Sequence, residues 1–166
     1  SAINQNEDIV NWLVKCDHNV NVADKEGRKP IHYAVARQNL KIVEVLLKYS
    51  THSDYINDMD GKSKRSLIMI AAEYSNPKIL EFLLDFAAQK PNIHQTDPQG
   101  MTALHIAVQS ASVECCRILT EHGAKLNVKD NSGRTVLILA SQCGAVDCAK
   151  YLVKQWQKQQ QAHKRK

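Results

Sequence analysis

The side chains that could do chemistry in this 166-residue chain lack the spacing that catalysis needs. The run Gly61-Lys62-Ser63 matches the end of a phosphate-binding loop. Such a loop has a second glycine five residues earlier, but Ile56 stands there and no strand pattern precedes it. No Ser/His/Asp set or carboxylate pair shows a local catalytic signature. The sequence therefore predicts neither a nucleotide site nor an active site, and we expect the chain not to be an enzyme.

The cysteines and histidines fit structural roles better than metal binding. Cys115, Cys116 and Cys148 fall at apolar positions of predicted helices, where a free thiol packs as a small apolar group. A zinc site instead needs closely paired donors, with four converging on the ion. His32 and His105 stand at predicted helix starts, where a structural hydrogen bond is expected. We therefore predict no metal and no other cofactor.

One pattern recurs along the chain and determines which elements position these side chains. The leucine after the most apolar run recurs at spacings of 33, 37, 36 and 33 residues, as Leu13, Leu46, Leu83, Leu119 and Leu152. Runs such as Ile42–Leu47 place apolar residues at helical intervals, with a broad buried stripe. Each unit reads as a turn, a short helix, a tight turn and a longer helix. A period of this size predicts an all-α solenoid, whose units bury their apolar faces only against their neighbours.

The repeated unit resembles the ankyrin repeat over residues 6–156. The tetrapeptide that opens each short helix of the family corresponds to residues 29–32, 66–69, 102–105 and 135–138. Only Thr102-Ala103-Leu104-His105 keeps both the hydroxyl and the imidazole. A Ser or Thr oxygen caps free backbone N–H groups, and proline is tolerated at a helix start. The resemblance implies helix-turn-helix units with short β-turn fingers that act as a protein-recognition module.

The repeat boundaries predict six segments. These are a partial amino-terminal repeat (1–24), a repeat (25–59), a repeat with an extended finger (60–96), a repeat (97–129), a carboxy-terminal capping repeat (130–156) and a basic, Gln-rich tail (157–166). The first has room only for a second helix at Asp8–Lys15, which leads us to expect a larger parent chain or a shifted amino end. We expect Trp156 to cover the outer face of the last repeat, and the tail beyond it to be disordered.

Composition favours a reducing compartment and a neutral stack. Five cysteines, an odd count without regular spacing, argue against a disulfide framework. No apolar run is long enough to span a bilayer, and no signal peptide opens the chain, so we expect a cytoplasmic or nuclear protein. Five cations lie in the tail region; without them 17 basic residues face 17 acidic ones. The tail is either a solvated end or a site for nucleic acid, an acidic surface or an import receptor.

The resemblance implies a concave groove, lined by the fingers and the exposed side of the short helices. The candidate partner-binding residues are Lys25, Arg28, Arg37, Lys62, Lys64, Arg65, Tyr74, Met101, Gln109 and Arg134. The groove positions hold seven cations and two acids, Glu26 and Glu73, which predicts a positive surface that steers acidic ligands. Tyr74 and Met101 are the expected apolar anchors. The alternative is a set of solubilising surface residues.

The resemblance also implies two candidate modification sites. Asn21 and Asn127 each follow a leucine by eight residues, the pattern at which asparagines of many ankyrin repeats are hydroxylated. The alternative is that these asparagines only fasten the turns in which they lie.

The predicted function is non-catalytic binding of an acidic or phosphorylated segment of another protein, by a chain that is monomeric in isolation. One alternative is association with nucleic acid or an anionic membrane through the groove and the tail, although nucleic acid is not favoured. A steep dependence of affinity on salt would identify that alternative. Another is a regulatory or scaffold domain of a larger enzyme or channel.

Overall fold

Four helical hairpins make up the part of the chain that the computed structural model describes, residues 20–50, 55–86 and 90–164. Their eight helices are α1 (Pro30–Ala36), α2 (Leu40–Tyr49), α3 (Leu67–Glu73), α4 (Pro77–Asp85), α5 (Ala103–Gln109), α6 (Val113–Glu121), α7 (Val136–Cys143) and α8 (Val146–Lys164). A 3₁₀ turn, Tyr55–Asn57, lies between the first two hairpins. Within these ranges the only β pairing is an isolated bridge between Met59 and Ser66. The prediction of an all-α repeat fold is confirmed.

The first three hairpins turn in the same way because a polar side chain caps the second helix of each, whereas Gly144 with a positive φ and Ala145 make the turn of the fourth. Asn39 Oδ1 accepts the Ile42 N–H at 3.2 Å, and Asn76 Oδ1 accepts the Ile79 N–H at 3.1 Å. Ser112 takes this place before α6. The residue just before each of these three caps has a positive φ, which reverses the chain within two residues. Capping and the apolar stripe together therefore set the hairpin geometry.

The hairpins stack side by side into one continuous core. The short helices α1, α3, α5 and α7 contact one another in sequence, and α4, α6 and α8 do the same behind them. Ala71 and Ala107 are fully buried, which allows neighbouring short helices to approach closely. Each hairpin thus depends on its neighbours for burial, as expected of a solenoid.

Several expectations about the ends of the chain meet different outcomes. Helix α8 continues to Lys164, so the prediction of disorder after Trp156 is wrong; Gln and Lys are good helix formers, and no glycine or proline interrupts them. Trp156 lines a pocket together with Gly123, Ala124 and Leu126 of the preceding repeat, whereas other residues line the groove on the outer face, so Trp156 does not cover that face. The helix expected at 8–15 lies outside the described residues. Among the described helices, none is long and apolar enough to cross a membrane.

Candidate functional site

Four aspartates fold the finger turns that precede the short helices. They are Asp24, Asp60, Asp97 and Asp130. In the turn of Asp97, Oδ1 accepts the backbone N–H groups of Gln99 and Met101 at 3.0 and 2.9 Å. Aspartate favours such turns because its short side chain satisfies the backbone two and four residues ahead. The fingers are therefore built to one plan.

Two of the candidate arginines bind the aspartate of the next finger. Arg28 Nε lies 3.4 Å from Asp60 Oδ2, and Arg65 Nε lies 3.5 Å from Asp97 Oδ2. Burial works to raise the pKa of Asp60, but hydrogen bonds from Ser63 and the charge of Arg28 outweigh it, so this pKa lies below its usual value. Arg65 also contacts Glu73 at 2.6 Å. These guanidinium groups hold consecutive fingers together and balance buried carboxylates.

The pairing changes at the third finger, where Met101 takes the place of the arginine. Met101 is only 5% exposed, so the prediction that it is an exposed apolar anchor is wrong. Asp130 is paired instead by Arg134 of its own finger, with Nη2 2.7 Å from Oδ2. The Arg134 hydrogen bond is the main reason that the pKa of Asp130 is lowered. Arg134 therefore also has a structural partner.

The first two fingers also touch through their backbones. The Gly61 N–H donates to the Gly27 carbonyl at 3.0 Å. A Cβ on Gly61 would lie 2.4 Å from the Glu26 carbonyl oxygen and 2.5 Å from Gly27 Cα. Only glycine allows this approach, so the finger spacing is fixed by backbone contact as well as by charge.

The two capping histidines link each helix start to its surroundings. His105 Nδ1 accepts the Thr102 N–H at 3.3 Å, and Nε2 lies 3.2 Å from the Arg134 carbonyl, to which it donates in the neutral tautomer. His32 Nδ1 accepts the Lys29 N–H at 3.0 Å. Burial lowers the pKa of both histidines. Their predicted role as structural hydrogen-bond partners is confirmed.

The remaining candidates lie exposed on and beside the fingers. They are Lys25, Arg37, Lys62, Lys64, Tyr74 and Gln109. Lys62 Nζ is 3.8 Å from the Glu26 carboxylate. Within the described ranges, no ionic partner contacts Lys25, Arg37 or Lys64. These three cations are therefore available to a ligand in a way that the arginines of the fingers are not.

A cleft of about 120 Å³ lies between the first two fingers and their short helices. Its walls include Tyr33, Tyr74 and Ser63. The arginines Arg28 and Arg65 also line it, together with their partners Asp60 and Glu73. Both tyrosines are exposed, and the Tyr33 hydroxyl donates to Asp24 at 2.6 Å. Tyr33 was not among the residues predicted from the sequence. It directly follows the buried capping residue His32, so helix geometry places it on the exposed side of α1. The structure thus brings two aromatic rings to one cleft.

The fingers carry less net positive charge than the sequence count indicated. The aspartates that open the fingers add four carboxylates to the two acids counted before. These aspartates recur at spacings of 36, 37 and 33 residues, so the repeat period could have revealed them. The free positive charge is concentrated at the exposed tips and at Arg37.

The other candidate side chains have plain surroundings. Asn21 is half-buried and Asn127 is exposed, and their hydroxylation stays a prediction. Of the described cysteines, Cys143 is an exposed thiol, whereas Cys115, Cys116 and Cys148 are buried thiols. In the described parts of the chain, no group of three or more metal-ligating side chains converges.

Similarity to known proteins agrees with this architecture. The family profile for ankyrin repeats, in three copies, matches residues 1–92 and 68–163. The chain is 30% identical over 121 residues to Rabankyrin-5 of Mus musculus, covering 73% of this chain and 10% of that protein. It is 30% identical over 124 residues to the Nuclear factor NF-kappa-B p105 subunit of Gallus gallus, covering 74% and 12%. For the Probable 26S proteasome regulatory subunit p28 of Saccharomyces cerevisiae, identity is 28% over 107 residues, covering 64% and 46%.

The stacked hairpins and linked fingers define a helical repeat protein. With the family profile covering most of its length, the chain belongs to the ankyrin-repeat family, whose repeats are a protein–protein interaction module. The chain spans only about a tenth of the length of the first two relatives.

Proposed function

We propose that this chain is a non-catalytic module that binds an acidic or phosphorylated segment of another protein across its first two described fingers. The observation that carries the proposal is the cleft bordered by Tyr33 and Tyr74. Exposed cations without ionic partners occur on the same fingers and at the end of α1. Aromatic rings supply contact area at low entropic cost, and cations orient an acidic chain around them.

The paired arginines support this proposal through rigidity rather than direct contact. Arg28 lies 5.8 Å from the centre of the Tyr33 ring, and Arg65 bridges Glu73 and Asp97. A ligand that displaced these guanidinium groups would leave buried carboxylates unpaired, which is costly. The paired arginines therefore keep the cleft rigid. Because a rigid, pre-organised surface loses little conformational entropy on binding, this reduces the free-energy cost of binding a ligand. The ligand charge is met by Lys25, Arg37 and Lys64.

Selection of peptides from a random library tests the proposal. Peptides that bind the chain should be enriched in Asp and Glu around an apolar residue. Three exposed ion pairs contribute about 0.2–1 kcal/mol each. Combined reversal of Lys25, Arg37 and Lys64 to Glu should therefore weaken the selected peptide about tenfold or more, measured by calorimetry.

Matched variants separate local contact from overall charge. Reversal of Lys90, Lys125 and Lys158 to Glu makes the same charge change at exposed positions outside the fingers. This control should change affinity by less than about threefold, because exposed charges more than about 10 Å apart are screened at physiological salt. Selection of neutral or basic peptides, or equal losses in the two triple variants, would contradict the proposal.

A further inference from the structure

In the described part of the chain, the outer face of the α7–α8 hairpin is apolar and exposed. Val146 is 59% exposed, Ile138 45% and Val153 42%. Val146 and Val153 line a groove of about 540 Å³ along α8, together with Ala140 and Ala149. An apolar outer face on a repeat is suited to packing against another helical element, because each repeat buries its apolar surface against a neighbour.

The same face is a helix-packing interface in every earlier hairpin. Ala149 corresponds to Cys116 and Leu80, which are fully buried where the next hairpin stacks on them. Ile138 corresponds to His105, whose Nε2 contacts the carbonyl of Arg134 in the next finger. The exposed face thus continues an interface that repeats along the molecule. Its shape is suited to α-helices, because helices cover it at each previous step.

The border of this face differs in charge from the equivalent positions before it. Lys150 and Lys154 line the groove, where the preceding hairpin has Arg117 and Glu121, which pair at 3.0 Å. Lys150 Nζ is 3.9 Å from Asp147, an exposed and weak contact. The border is therefore basic, and an acidic surface would complement it.

We infer that this end face, defined as Ile138, Val146, Ala149, Lys150, Val153 and Lys154, docks an amphipathic helix of a partner protein whose apolar stripe is flanked by acidic residues. A second copy of the chain fits less well. In a two-fold interface each patch meets itself, so the lysines of one copy would approach those of the other. An acidic-flanked helix covers the valines and also pairs both lysines. This site is separate from the cleft between the fingers.

Two designed peptides test the inference. Both are helices with the same Leu/Ala stripe, one flanked by Glu and the other by Lys. The wild-type chain should bind the Glu-flanked peptide, with NMR shift changes confined to α7 and α8. Changing Val146 and Val153 to Ser should weaken this binding about tenfold or more, because two partly exposed apolar side chains then no longer contribute burial.

Two further variants make the test specific. Lys150→Glu combined with Lys154→Glu should reverse the preference, so that the Lys-flanked peptide binds better. Val22→Ser, at a valine that is 60% exposed far from this face in sequence, should leave both affinities unchanged. Circular dichroism checks that each variant is folded.

Defined results would overturn the inference. Equal affinity of the wild-type chain for the two peptides would remove the charge argument, and unchanged binding by the Val-to-Ser variant would remove the site. A concentration-dependent dimer in analytical ultracentrifugation that is lost in that variant would assign the face to a second copy. None of these results bears on the cleft, because its cations and tyrosines are untouched.

Discussion

Replacing Arg65 by Met tests whether the arginines of the fingers stabilise the stack of hairpins rather than bind a ligand. Arg65 is 17% exposed and pairs with Asp97, whose side chain is fully buried. The change copies the natural residue at the equivalent place in the next finger, Met101. There, however, Asp130 has Arg134 as its partner. The finger of Asp97 has no arginine that could take over as its partner once Arg65 is removed.

The expected cost follows from the carboxylate that would be left behind. Removing one partner of a buried ion pair usually costs about 3–5 kcal/mol. Asp97 keeps two backbone hydrogen bonds through Oδ1, and its 3.5 Å contact to Arg65 is long, so the loss should fall below that range. We expect Arg65→Met to lower the free energy of unfolding by about 2–3 kcal/mol.

Urea denaturation followed by circular dichroism measures this loss. Lys64→Met is the matched control, because Lys64 is exposed and has no ionic partner in the described residues; it should cost less than about 0.5 kcal/mol. In the Arg65→Met background, Asp97→Asn should recover about 1–2 kcal/mol, because it removes the unpaired charge. Equal effects of Arg65→Met and Lys64→Met would refute the reasoning and return Arg65 to the ligand-binding set.

Three further predictions concern other parts of the stack. Gly61→Ala should lower the free energy of unfolding by about 1–3 kcal/mol, because the new Cβ would clash with the backbone of the neighbouring finger. Gly133→Ala should cost less, because its Cβ would meet only open space, although the residue keeps a strained positive φ. Equal losses for the two variants in urea denaturation would refute the close contact at Gly61. Burial lowers the pKa of His105, so as the pH drops the unfolded chain binds a proton at this histidine before the folded chain does, and stability should fall from about pH 7 to about pH 5.5. His105→Gln should make this fall in stability less steep in thermal melts. An unchanged slope would contradict the role of His105 in the pH dependence. Among the described cysteines, Cys143 should react with a thiol reagent in the native protein while the buried thiols of α6 and α8 react only after unfolding, and rapid modification of all four would show that the core is open.

The fold could be predicted from the sequence because the same pattern of residues recurs in it several times. The spacing of Leu46, Leu83, Leu119 and Leu152 and the apolar stripes around them predict hairpins that the structure confirms. The end of α8 was misjudged because helix propensity was given too little weight against the loss of apolar residues. The role of Trp156 was misjudged because its helix face alone does not say which neighbour it meets.

The candidate site was harder to predict because its contacts cross between repeats. The sequence pattern places Arg28 and Arg65 at exposed positions, but each side chain contacts an aspartate more than 30 residues away in sequence. Met101 occupies the same place in its finger as Arg65, yet it is only 5% exposed. Local spacing predicts which face a side chain takes, whereas its partner depends on how two units stack.

An NMR titration of the chain with a selected acidic peptide tests most directly whether the ligand binds across the first two described fingers. We expect shift changes at the fingers 24–28 and 60–65 and at Tyr33 and Tyr74. Changes confined to α2, α4 and α6, on the opposite side of the hairpins from the fingers, would contradict it.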